Sequence, residues 1–148
     1  MTQKGRQRMP ATPLELARIA ATAADERKAS DIVLLDLSSV SDVCDYFLVC
    51  SASSKPQVDA VVDHIEEKLQ ANCHAKPLSV EGKAAGSWVL LDFGPLVVHV
   101  FKPETRDFYR LERLWGDAPR LTLGLEGEAA GGDSEAGGES AGLGATGE

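Results

Sequence analysis

Two apolar runs, Trp88–Asp92 and Leu96–Phe101, are separated by only three residues, Phe93-Gly94-Pro95. Glycine and proline favour a tight turn here, and side chains alternate between the two faces of a strand. The runs therefore predict an antiparallel hairpin. One face of this hairpin is wholly apolar and pairs Phe93 with Leu96, Leu91 with Val98, and Val89 with Val100. Such a face must be covered by other parts of the protein.

The other face of the hairpin is mixed in character. It pairs Asp92 with Val97, Leu90 with His99, and Trp88 with Phe101. Interface centres are enriched in aromatic residues, so this face is interpreted as a docking surface. A tryptophan in a strand is also a common core residue. His99 is accordingly either a core histidine with a satisfied hydrogen bond or a residue at the rim of an interface.

Composition limits the class of protein. The chain has 148 residues, of which 43% are hydrophobic, and these numbers fit one domain with its own core. No apolar run approaches the roughly 20 residues that span a bilayer. The three cysteines, Cys44, Cys50 and Cys73, lack the spacing of zinc ligands, which predicts buried thiols in a reducing compartment. We expect no metal and a cytoplasmic location.

Acidic residues are concentrated near the end of the chain. The net charge is −8, and from Gly124 onward there are nine of the 14 glycines and no lysine or arginine. This composition predicts a disordered, acidic, glycine-rich tail over residues 121–148. Residues 1–11 are predicted to be a flexible arm and residues 12–120 the folded domain. The domain has no basic excess, which argues against direct specific binding of nucleic acid.

Capping and periodicity place the other elements. Thr12 and Glu15 form a capping box around Pro13, which predicts a helix to about Ala29. Apolar residues at helical spacing predict a second helix from Lys55 to about Ala71. With strands at 32–37, 44–50, 76–81, 88–92 and 96–101 and a helix at 105–115, the order is α-β-β-α-β-β-β-α. The predicted fold class is α/β, with a mixed, mainly five-stranded sheet and flanking helices.

Signals for enzymatic chemistry are weak. There is no G-x-S-x-G elbow, no GxGxxG and no Walker loop. The turn Ser51–Ser54 precedes a helix, where an anion could be held by free N–H groups, although helix capping explains such serines equally. His64, on the polar side of the second helix, and His74, in a loop, are both expected to be exposed. The alternative function that this turn suggests is that of a small nucleotide-binding or nucleotidyltransferase-type enzyme.

Six blocks of sequence carry a resemblance to a known family. They are Asp31–Asp36, Asp45–Cys50, Val80–Gly82, Trp88–Asp92, Val97–Phe101 and Arg106–Trp115. In this order the chain resembles the ribosomal silencing factors, also called Iojap proteins, over about residues 14–117. The resemblance implies a nucleotidyltransferase-like fold that is catalytically empty, so it predicts no enzyme and no cofactor.

The resemblance also implies a partner and a mechanism. It implies binding to the large ribosomal subunit through its protein fourteen, which blocks joining of the small subunit and represses translation when nutrients run short. Homodimers are implied as well. The contact residues carried over are Trp88, Leu90, Asp92, Val97 and His99, to which Phe101 and Tyr109 are added. Pro95 departs from the acidic residue common in the family and predicts altered turn geometry. A dimerising adaptor without a ribosomal role is a third reading.

Overall fold

The protein is described by a computed structural model over residues 11–109 and 118–129, without the side chains of residues 107–109. Within these ranges, three helices and six strands are present. They follow one another as α1 (Pro13–Glu26), β1 (Ser30–Asp36), β2 (Tyr46–Ser51), α2 (Lys55–Cys73), β3 (Ser79–Glu81), β4 (Trp88–Asp92), β5 (Leu96–Phe101), α3 (Pro103–Tyr109) and β6 (Arg120–Leu121). None of the helices in this part of the chain is long and apolar enough to cross a membrane.

The strands form one mixed sheet in the order β3-β4-β5-β2-β1-β6. β5 and β2 are parallel, and every other neighbouring pair is antiparallel. The parallel pair arises because α2 lies in the crossover between β2 and the hairpin, as such connections require. The predicted α/β class with a mixed sheet is confirmed, and its first eight elements have the predicted order. The prediction of five strands was one short, because it did not include β6.

The two long helices cover one face of the sheet. The capping box of α1 is present: Thr12 Oγ1 accepts from the Glu15 N–H at 3.1 Å, and Glu15 Oε1 accepts from the Thr12 N–H at 2.8 Å. The buried stripe of α1 consists mostly of alanines, which allows α2 to pack closely against it. The main core lies between these helices and the apolar side of the hairpin, including Val89, Leu91 and Val98.

The hairpin has the predicted register at every position. The opposed pairs are Trp88–Phe101, Val89–Val100, Leu90–His99, Leu91–Val98 and Asp92–Val97. The Phe93 N–H donates to the Leu96 carbonyl at 2.9 Å and closes the turn. The Pro95 carbonyl accepts from the N–H groups of Asp45 and Tyr46 at 2.8 and 3.0 Å, and the altered turn geometry expected from Pro95 stays a prediction. The turn is thereby tied to β2.

Residues 118–129, here called the strap, run along the outer side of β1. β6 pairs with β1, and the Ile32 N–H then donates to the Gly127 carbonyl at 2.8 Å. The Gly127 N–H donates to Asp25 Oδ1 at 2.7 Å, so the strap is also attached to α1. Its leucines at 121, 123 and 125 pack against the main core. The fold therefore continues past residue 120, where the sequence prediction ended it. The predicted arm (1–11) and the rest of the tail fall almost wholly outside the described residues.

Three helix boundaries differ from the sequence prediction, and one of them is the end of α2, which lies at Cys73 rather than at about Ala71. α1 ends at Glu26 rather than Ala29, because Lys28 takes a left-handed conformation with φ of 67°. α3 begins at Pro103, two residues before the predicted start. Residues 110–117, which were predicted to continue this helix, lie outside the described part of the chain.

Candidate docking site

The sheet face opposite α1 and α2 carries the mixed residues of the hairpin. We call the part of this face formed by Trp88, Leu90, Asp92 and Val97 the docking face. All four side chains are half-buried. His99 and Phe101 lie on the same face but are 3% and 0% exposed, so neither reaches the surface. The structure thus brings together six of the seven residues predicted from sequence. The seventh, Tyr109, ends α3, and its side chain lies outside the described residues.

An aromatic cluster supports the docking face from below. The rings of Trp88 and Phe101 are stacked, with centroids 4.9 Å apart and an interplanar angle of 27°. Phe47 of β2 meets the edge of His99 with centroids 4.7 Å apart. Stacked and edge-to-face pairs in this distance range add about 0.5–1.5 kcal/mol each beyond the burial of their area. The cluster therefore holds the base of Trp88 rigidly.

One hydrogen bond orients Trp88 within this cluster. The indole N–H of Trp88 donates to Nδ1 of His99, with 3.1 Å between the nitrogens. Nδ1 is therefore the unprotonated nitrogen of a neutral His99, and Nε2 carries the proton. Burial lowers the pKa of His99 to about 4. His99 is a core histidine with one satisfied hydrogen bond, and its Nε2 has no hydrogen-bond partner among the described residues.

Asp92 shapes the end of the hairpin. Its Oδ1 accepts from the Gly94 N–H at 2.8 Å, which supports the left-handed conformation of Gly94 with φ of 92°. The second carboxylate oxygen is not used by this turn, and a carboxylate accepts at two oxygens. Asp92 is thus able to fix the turn and to accept a hydrogen bond from a partner at the same time.

The Ser51–Ser54 turn is built as a helix cap. Ser54 Oγ accepts from the Gln57 N–H at 3.3 Å, and Gln57 Oε1 accepts from both the N–H and the Oγ–H of Ser53 at 2.7 and 2.8 Å. Pro56 at the second helical position contributes no N–H. Most donors that an anion would need at this end of α2 are therefore engaged within the protein. This geometry gives no support to the nucleotide-binding reading.

Two polar side chains hold this region together through long-range contacts that sequence reasoning missed. Gln57 Nε2 donates to the carbonyls of Arg27 and Lys28 at 3.3 and 3.0 Å, which joins the start of α2 to the end of α1. Arg106 is 6% exposed, and its Nη1 donates to the Asp31 carbonyl at 2.6 Å and to Ser51 Oγ at 2.9 Å. The only sequence signal for Arg106 was its place in a family block.

His64 is buried, so the prediction that it is exposed was wrong. It is 8% exposed, and its Nε2 lies 2.7 Å from Glu26 Oε1. The helical pattern of α2 could not reveal this, because the covering group comes from α1. The hydrogen bond to His64 lowers the pKa of Glu26. His74, by contrast, is exposed and caps α2 with φ of 54°.

The cysteines are free thiols, and two of the three are buried. Cys44 and Cys50 are buried, no disulfide joins the three cysteines, and burial raises the pKa of Cys50 to about 12. Within residues 11–109 and 118–129, no group of three or more His, Cys, Asp or Glu side chains is placed to hold a metal ion.

Comparison with known proteins identifies relatives over most of the chain. Residues 10–142 match the family model described as "Ribosomal silencing factor during starvation" (RsfS). A Bacillus subtilis protein named ribosomal silencing factor RsfS is 43% identical over 108 residues, which is 73% of this chain and 91% of that protein. The chloroplastic protein Iojap of Arabidopsis thaliana is 33% identical over 122 residues, 78% of this chain and 46% of that protein.

Solved structures agree with the fold. The crystal structure of a Chromobacterium violaceum protein superposes with a TM-score of 0.69 at 31% identity, over 82% of this chain and 98% of that one. A Bacillus halodurans structure gives a TM-score of 0.66 at 35% identity, over 74% of this chain and 99% of that one.

Proposed function

The chain belongs to the RsfS family of ribosomal silencing factors, and we propose that it represses translation by binding the large ribosomal subunit through ribosomal protein fourteen. Bound there, it keeps the small subunit from joining by steric exclusion. The mechanism needs only an exposed protein surface, and no substrate, cofactor or turnover. We place this activity in the cytoplasm.

The docking face is our candidate for the contact with ribosomal protein fourteen. Trp88, Leu90 and Val97 supply apolar area, and Asp92 supplies a hydrogen-bond acceptor at one end. Half-buried aromatic and aliphatic side chains around a single polar group are typical of the centre of a protein interface. His99 and Phe101 lie beneath this layer, so we assign them the support of Trp88 rather than direct contact. Whether Tyr109 belongs to the contact stays a prediction.

The single observation that carries the proposal is the fixed position of Trp88. Its ring is stacked on Phe101 and its N–H is bonded to His99, so little conformational entropy is lost when a partner covers it. A rigid aromatic anchor of this kind commonly contributes about 2 kcal/mol or more to binding.

Co-sedimentation with purified large subunits tests this function. Wild-type protein is expected to migrate with the large subunit in a sucrose gradient and to shift assembled ribosomes toward free subunits. Trp88→Ala is expected to bind at least about 30-fold more weakly, the equivalent of about 2 kcal/mol. Gln70→Ala, on the exposed side of α2, is the control and should bind as wild type.

A pull-down with purified ribosomal protein fourteen identifies the partner directly. Binding to intact large subunits without binding to protein fourteen would contradict the partner that we propose but not the silencing role.

The homodimer implied by the family resemblance also stays a prediction, and sedimentation velocity of the full chain would test it.

A further inference from the structure

Large apolar side chains are exposed at one end of the sheet. Among the described residues, Val40, Val43, Leu78 and Val80 are exposed by 47%, 88%, 76% and 37%. Leu78 reaches the hairpin turn, since a methyl group added to Gly94 would lie 3.8 Å from its Cδ1. Val43 is two residues before Asp45, whose N–H donates to the Pro95 carbonyl. Val43 and Leu78 therefore belong to the same end of the molecule.

These side chains lie just before strands that begin at the same end of the sheet. Val43 lies before β2, Pro95 before β5 and Leu78 before β3, and these strands belong to the consecutive series β3-β4-β5-β2. With neighbouring strands about 4.8 Å apart, the starts of β3 and β2 lie roughly 15 Å from each other across this end of the sheet. We call the line formed by Val43, Leu78, Gly94 and Pro95 the turn-end strip. It continues the docking face, because Asp92 and Val97 flank the same turn.

Carboxylates outnumber basic groups around the turn-end strip. The segments 36–46, 76–79 and 92–97 that form this end carry four aspartates, Asp36, Asp42, Asp45 and Asp92, and one basic residue, Lys76. Asp45 and Asp92 lie close enough to Cys44 to affect its thiol. The pKa of Cys44 is raised mainly by burial and further by the charges of these two aspartates. An RNA backbone brought here would meet charges of its own sign, which is costly, whereas a basic protein surface would be attracted.

We propose that the turn-end strip is a second contact surface, which binds a protein segment whose apolar side chains are bordered by lysine or arginine. The proposal rests on the proposed function, since it extends the docking face around the end of the sheet toward the same large-subunit partner. The apolar strip supplies the area that the partner buries. The surrounding aspartates select a basic partner and speed its approach.

The apolar part is tested with Val43→Ser combined with Leu78→Ser. Both side chains are exposed, so the unfolding transition of the full chain should be unchanged. Binding to purified large subunits is expected to weaken about tenfold, as for the loss of two interface side chains. Thr22→Ser, on the exposed side of α1, is the control. Wild-type affinity in the double variant would overturn the proposal.

The charge is tested with Asp42→Lys. Against a basic protein partner, binding at low salt should weaken about threefold or more, and the difference should shrink as salt screens the charges. Glu126→Lys makes the same change of charge in the strap, near the opposite end of β1, and should have little effect. Tighter binding of Asp42→Lys would indicate contact with RNA phosphates and would overturn the proposal.

Trp88→Ala, measured in parallel, separates this proposal from the docking face. Loss of binding in Trp88→Ala alone supports the proposed function and overturns the strip. Loss in the strip variants alone supports the strip and overturns the docking face. If wild-type protein does not bind large subunits, the proposed function fails, and the strip fails with it.

Discussion

The indole N–H of Trp88 donates to Nδ1 of His99 diagonally across the β4–β5 pair, since Trp88 lies opposite Phe101 and His99 opposite Leu90. This bond engages the single polar group of the tryptophan inside the protein. A partner bound at the docking face, as we propose, would therefore meet the apolar body of the ring and not its donor.

We predict that Trp88→Phe and His99→Phe are strongly coupled in stability. Each single variant removes the same hydrogen bond and leaves the remaining group, His99 Nδ1 or the Trp88 N–H, without this partner. The loss lowers the free energy of unfolding by about 1–3 kcal/mol. The double variant should cost about 1 kcal/mol less than the sum of the two. Urea unfolding of all four proteins measures this coupling, and additive losses would contradict the hydrogen bond.

We predict that His99 makes the fold sensitive to mild acid. Its pKa is about 4 in the folded protein against a reference value of 6.5. Between these values the unfolded chain binds a proton at His99 that the folded chain does not, so stability falls as pH falls from about 6.5 to 4. The full effect is about 3 kcal/mol, and it is absent above pH 6.5.

Urea unfolding at pH 7, 5.5 and 4 tests this dependence. His99→Phe is the comparison, because it keeps an aromatic ring and removes the titrating group. The difference in the free energy of unfolding between wild type and His99→Phe should change across this window. A constant difference would show that His99 does not titrate with a lowered pKa.

We predict that Gln57 stabilises the junction of α1 and α2. Gln57→Ala removes the side-chain bonds to Ser53 and to the carbonyls of Arg27 and Lys28, so the free energy of unfolding should fall by about 1–2 kcal/mol. Gln70→Ala, elsewhere on α2, should change it by less than about 0.5 kcal/mol.

Calorimetric titration with a nucleoside triphosphate and magnesium should show no saturable binding to wild type. Micromolar binding would revive the nucleotide reading.

We predict that Gly82→Ala disrupts the start of β4 while Gly94→Ala does not. Both glycines have left-handed φ, but a Cβ on Gly82 would lie 2.1 Å from the Trp88 carbonyl oxygen, whereas one on Gly94 meets only Leu78 at 3.8 Å. Gly82→Ala should cost about 3 kcal/mol or more and Gly94→Ala about 1 kcal/mol. Thermal or urea unfolding measures both, and equal losses would contradict the close contact at Gly82.

The hairpin was predictable because its information is local. Alternation and a Gly-Pro turn were sufficient to assign all five opposed pairs. β6 was not predictable by the same means, because it has two residues and is held by pairing with β1, which is distant in sequence. Its glycine-rich surroundings indicated disorder, although the leucines at 121, 123 and 125 alternate as packed residues do.

The position of the docking face was predictable, but which of its side chains are exposed and which are buried was not. Alternation placed Trp88, His99 and Phe101 on one face, but it does not determine which of them reaches the surface. That depends on Phe47 of β2 and on the side-chain conformation of Trp88, which no spacing specifies. The burial of His64 was missed for a similar reason, since Glu26 comes from another helix.

The strap also determines when the sheet is finished during synthesis. A chain leaves the ribosome from its N-terminus, so β1 to β5 are available for pairing before residues 118–129 have been made. The outer side of β1 is an exposed strand edge throughout that interval, and such edges promote association with other chains. In this protein, the last described segment to be translated is the one that covers this edge.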